Sequence, residues 1–71
     1  MPHESVVRRC RLKRSDIWYL HFIFEAYDGI GTVSTVVPSE GIVEIRMPAS
    51  RREEGERLLE ALSGEIELSA A

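Results

Sequence analysis

An α+β domain with the element order β-α-β-β-α-β is predicted by three observations along this sequence. Runs of alternating or β-branched residues recur four times, at Ser5 to Lys13, Thr32 to Val37, Ile42 to Met47 and Glu65 to Leu68. Two stretches with apolar residues at helical spacing lie between the first and second runs and between the third and fourth. Turn residues fall at the junctions: Gly29 and Gly31, Pro38-Ser-Glu-Gly41, and Pro48-Ala49.

In the first run Val6, Arg8, Cys10 and Leu12 share one parity, and Val7, Arg9, Arg11 and Lys13 share the other. That alternation describes a half-buried strand with one basic face. Ser15 or Asp16 then caps a helix whose residues Ile17, Leu20, Phe24 and Tyr27 point inward, before Gly29 supplies a left-handed stop. The Trp, Tyr, Phe and Ile of this stretch individually favour strands. Its length without a turn signal exceeds the usual strand and decides for helix. The next two runs form a hairpin across the Pro38 to Gly41 connection, with Val43, Ile45 and Met47 on one side and Glu44 and Arg46 on the other.

Ser50 and Glu53 have the spacing of a capping box, in which the hydroxyl accepts from the third helical amide and the carboxylate reaches back. The second helix carries Leu58, Leu59 and Leu62 on one stripe and ends at Ser63-Gly64. Glu65-Ile-Glu-Leu68 closes the pattern as a short strand.

This order is the split βαβ arrangement of ferredoxin-like folds. Right-handed crossovers then place both helices on one face of a four-stranded antiparallel sheet of strand order 4-1-3-2. The helix-facing set is Val6, Cys10, Leu12, Val33, Val37, Val43, Ile45, Met47, Ile66 and Leu68. On the open face Arg9, Arg11 and Lys13 would lie beside Glu65 and Glu67, and such cross-strand pairs contribute about 0.2 to 1 kcal/mol each.

The residues also evoke a family. Phe24-Glu-Ala-Tyr-Asp-Gly29, Val33-Ser-Thr35, Pro38-Ser-Glu-Gly41 and the Leu58-Leu59-x-x-Leu62 helix resemble the small bacterial proteins grouped as domain of unknown function 4911. The likeness runs from about Ser15 to Leu62 and rests on loops and core positions. It implies a stand-alone bacterial domain of this fold and transfers no catalytic residue.

Seventy-one residues make one domain, 1–71, with 1–4 and 69–71 read as flexible tails. A chain of this size buries only about 60% of its unfolded surface, so it commonly needs a disulfide, a metal or an oligomer. Cys10 is the single cysteine, which excludes an internal disulfide. His3, His21 and Cys10 have no metal-ligand spacing, so neither metal nor cofactor is expected. Oligomerisation is the remaining option.

Net charge is −3, from twelve acids and nine bases, which disfavours bulk attraction to nucleic acid or to anionic membranes. No apolar run reaches the roughly 20 residues of a membrane span, and Met1 to Lys13 lacks a signal-peptide core. A soluble cytoplasmic protein is the expectation.

Four features carry a functional reading. Helix one has more aromatics than one sheet can cover, so Trp18, Tyr19, Phe22 and Ile23 are interface candidates. The basic strand adds Arg9 and Arg11 on the open face. An RNA-binding sheet of this fold would stack bases on aromatics in its central strands, and here those strands offer none. Glu25, Tyr27 and Asp28, beside Gly29 and Gly31, are candidates for a small-ligand site in an oligomer cleft, an analogy with regulatory domains of this architecture. They lack the nucleophile or base that catalysis would need. His21 lies within helical reach of Glu25, as a pH-sensitive pair or as a half-buried helix residue. The reading as a whole is a non-enzymatic interaction module that self-associates as a symmetric homodimer, the commonest closed assembly.

Overall fold

Alternation in the first strand and helical spacing in the next segment are both realised in the computed structural model, which describes residues 4–71. The predicted tail residues 1–3, with His3, lie outside the described residues. The elements are β1 (Ser5–Arg11), α1 (Ile17–Ala26), β2 (Thr32–Val37), β3 (Ile42–Pro48), α2 (Arg52–Leu62) and β4 (Ser69–Ala70), with short 3-10 turns at Arg14–Asp16, Pro38–Glu40 and Ala49–Arg51.

The sheet order is β2-β3-β1-β4, every pairing antiparallel, which is the 4-1-3-2 order read from its other edge. This is the α+β, ferredoxin-like arrangement. The two central strands pair Val6 with Met47, Arg8 with Ile45 and Cys10 with Val43, so one parity of each meets the helices. Val43, Ile45, Met47 and Leu20 are fully buried, joined by Leu12, Phe24, Ile30 and Leu62. Val6, Cys10, Ile17, Val33, Leu58, Leu59, Ile66 and Leu68 pack around them half-buried. Each fully buried aliphatic side chain contributes about 1.5 to 3 kcal/mol, which is how a helix of strand-favouring residues stays a helix: its Leu20 and Phe24 stripe is worth more than its propensity costs.

The structure departs from the sequence expectations at several places. Asp16 precedes α1 without the expected side-chain cap bond. Tyr27 does not point inward. The helix ends at Ala26, Tyr27 adopts extended backbone and half its surface is exposed, while Ile30 beyond the turn fills the core. The chain reverses there because Gly29 takes φ +73°, the left-handed conformation expected of it.

The Ser50 and Glu53 capping box does not form. Ser50 belongs to the 3-10 turn, Arg51 is the cap residue without a side-chain cap bond, and Glu53 instead faces Arg57 at 3.6 Å. Helix α2 ends at Leu62 with Ser63 as its cap residue, where Ser63-Gly64 predicted the stop. Gly64 is not left-handed, and the chain unwinds beyond it through Glu65 and Ile66 amides that donate to the Leu62 carbonyl at 2.8 and 2.9 Å.

That unwinding moves the last strand. Glu65 to Leu68 is not extended in the sheet, although Ile66 and Leu68 still cover the core. Ser69 and Ala70, read as tail, pair with Arg11 and Cys10, and the Ala71 amide donates to the Arg9 carbonyl at 3.1 Å.

Candidate interaction surface

Helix α1 presents two sides because only one stripe of it can face the sheet. Leu20 and Phe24 are buried, and Tyr19 and Ile23 are half-buried against the core. Trp18 and Phe22 are 67% and 58% exposed. The four candidates from α1 are thus divided two and two. Tyr19 is anchored by its hydroxyl, which donates to Glu65 Oε1 at 2.6 Å, and its ring meets that of Trp18 edge-on at 5.9 Å between centroids. The Tyr19 hydroxyl is held above the usual phenol range, first by that hydrogen bond and then by partial desolvation and the Glu65 charge.

Trp18 and Phe22 line an open groove between α1 and the edge of the sheet. Arg14 and Ile17 stand at its start, His21 and Glu25 further along the helix, and Thr35 and Pro38 on the strand side. His21 does not pair with Glu25. Its Nε2 approaches Thr35 Oγ1 at 3.4 Å and ties the middle of α1 to the middle of β2. Strand β2 is the outer strand of the sheet, so its far side has unpaired backbone groups, and Val36 is exposed on it.

The basic open face has a different character. Arg9 and Arg46 both reach Glu44, at 3.5 and 3.3 Å, Arg11 reaches Glu40 at 3.2 Å, and Lys13 reaches Glu67 at 3.7 Å. The partners of Arg9 and Arg11 therefore come from β3 and the hairpin turn, correcting the expectation that Glu65 and Glu67 would serve them. The shift of the last strand is the reason, since it removes Glu65 from the sheet. Arg9 and Arg11 lie on the opposite face from Trp18 and Phe22, so the interface candidates occupy two surfaces.

Glu25, Tyr27 and Asp28 do not converge. Glu25 borders the α1 groove, whereas Tyr27 and Asp28 lie on the following turn, where the Asp28 carbonyl accepts from Arg51 Nη1 at 2.6 Å. Arg51 also holds Glu54 with both of its other nitrogens at 3.0 Å, fastening the start of α2 to that turn. A further bridge was missed from the sequence: Arg8, on the apolar parity of β1, reaches Glu56 of α2 at 2.9 Å. Its signal was the arginine itself, placed among residues that face the helices. Cys10 lies half-buried on the same side, and burial raises its thiol pKa against the lowering influence of Arg8.

Among the described residues no cluster of metal-ligating side chains occurs, and no helix is long and apolar enough to cross a membrane. The fold and surface define a small ferredoxin-like α+β domain with paired charges on its sheet and an aromatic groove along its first helix. The chain belongs to the family described as domain of unknown function DUF4911, whose model matches residues 10–66. That span takes in α1, the β2–β3 hairpin and α2. No curated protein and no solved structure matched.

Proposed function

We propose that this domain is a non-enzymatic interaction module that self-associates as a homodimer through the exposed side of α1. The observation that carries this reading is the exposure of Trp18 and Phe22 on one side of α1, next to the unpaired edge of β2. Aromatic side chains bring a large buried area to an interface, and an open sheet edge gains from being covered. The open sheet face is the weaker candidate because Arg9, Arg11 and Lys13 already have carboxylate partners. The same pairing, with no aromatic on that face, counts against RNA binding.

The setting we propose is the bacterial cytoplasm, in keeping with the family resemblance and a single free thiol, Cys10. Sedimentation at low micromolar concentration tests the reading. A dimer is expected, and a clean monomer of 8.1 kDa overturns it.

A small-ligand site in the cleft between two copies is a second reading, favoured by the polar groups of Arg14, His21 and Glu25 along the groove. Thermal-shift screening against amino acids and nucleotides separates the two, because a bound ligand raises the melting point as its concentration passes Kd.

A further inference from the structure

Six of the lining residues pair about a single midpoint along the α1 groove. Arg14 and Glu25 stand at its two ends, Ile17 and Phe22 come next, and Trp18 and His21 lie inside them. Each pair is equidistant from the middle of the stripe, between Tyr19 and Leu20. Turned about a twofold axis at that midpoint, the stripe meets itself with a cation over an anion at both ends, Ile17 over Phe22 inside them, and Trp18 over His21, an aromatic ring over an imidazole, at the centre. Arg14 and Glu25 are exposed, and neither takes part in an ion pair among the described residues.

We infer that two copies of this chain meet with their α1 helices antiparallel, Arg14 of one opposite Glu25 of the other and Trp18 and Phe22 shielded between them. This rests on the homodimer reading above and assigns its surface and register. Arg14 stands in the 3-10 turn before α1 and Glu25 near the end of α1, so nearly the whole helix separates the charges, far enough for the two ion pairs to act independently and to select this orientation over a parallel one.

The strand edge fits the same axis. His21 and Thr35 join the middle of α1 to the middle of β2, and a twofold axis directed along that contact would set the two β2 edges side by side, running in opposite directions. The area requires that contribution. A standard interface takes about 800 Å² from each partner, and the chain exposes 4828 Å² in all. Trp18 and Phe22 supply only part of that share.

Charge reversal tests the assignment. Arg14→Glu and Glu25→Arg place like charges opposite one another at both ends of the dimer, and each variant alone is expected to raise the dimer Kd by about tenfold or more. Mixing the two variants puts every charge opposite its complement again. Sedimentation of the mixture, with one variant carrying a mass tag, should show a heterodimer as tight as the wild-type homodimer. That recovery also shows that both variants fold. Single variants that dimerise like wild type, or a mixture that does not recover, overturn this register while leaving the homodimer in place. A monomeric wild type overturns both.

Discussion

The amide of Leu12 donates to the carbonyl of Gly41 at 2.9 Å, and the two backbones lie so close that a Cβ on Gly41 would overlap the Leu12 carbonyl oxygen. Gly41 also has φ +68°, a conformation that costs an L residue about 1–2 kcal/mol. The contact seats the β2–β3 turn on the end of β1 and so aligns the central strands. Gly41→Ala is expected to lose at least about 2 kcal/mol, from strain and overlap together. That is a large part of the roughly 4–10 kcal/mol available to a domain of this length. Urea denaturation measures it, and an unchanged midpoint would show that the hairpin does not rest on Leu12.

Gly55 is buried on the inner face of α2, where a Cβ would overlap the Met47 sulfur and lie 3.1 Å from its Cγ. Alanine gains about 1 kcal/mol of helix propensity there, and overpacking costs about 1–3 kcal/mol. Met47 is fully enclosed, so the second effect wins and Gly55→Ala destabilises the domain. In a Met47→Ala background the same change fills space and should stabilise. A double-mutant cycle reads this sign reversal. An equal effect in both backgrounds would sink the account.

Topology was legible in this sequence because periodicity and turn residues are local signals. Val43, Ile45 and Met47 alternate with Glu44 and Arg46, and no other strand phase would bury the first three. The misplaced features depend on where a helix stops. Tyr27 has the right spacing for the α1 stripe, but the reversal at Gly29 takes it out of helical phase and hands its place to Ile30. The last strand moved for the same reason, as α2 unwound through Ile66 and left only Ser69 and Ala70 to pair. Of the surface, the surplus of aromatics on α1 could be counted from the sequence. Which of them escape burial could not, since Tyr19 is sheltered by a contact with Glu65 that lies far along the chain.

Acid should weaken the fold through two glutamates of α2. Glu54 is held below the usual carboxylate range first by its hydrogen bonds from Arg51, and Glu56 first by that from Arg52, with Arg8 adding to it. A carboxyl whose folded pKa is lowered contributes stability above its unfolded value, about pH 4.3, and loses it as pH falls through the folded one. The denaturation midpoint should therefore hold steady from neutral pH and fall below the ordinary glutamate range. A Glu54→Gln, Glu56→Gln variant should show a flatter acid limb. An acid limb as steep as that of wild type would mean these bridges contribute nothing.

The alkaline side is governed by Tyr19 and works with the opposite sign. Its neutral hydroxyl donates to the Glu65 carboxylate, so ionising it removes the donor and sets two negative charges side by side. The folded pKa thus lies above the unfolded value of about 10, and this contribution is complete below that value and lost as pH rises through the folded one. The chain has two tyrosines, so Tyr27→Phe leaves Tyr19 as the sole phenol to follow by ultraviolet titration. In that background Glu65→Ala should bring the titration down toward the ordinary range. Because the bond joins α1 to the segment after α2, the same substitution should speed amide exchange at Ser69 and Ala70, whose strand hangs from that segment. If the titration stays where it was, Tyr19 is shielded by packing alone and Glu65 is not its partner.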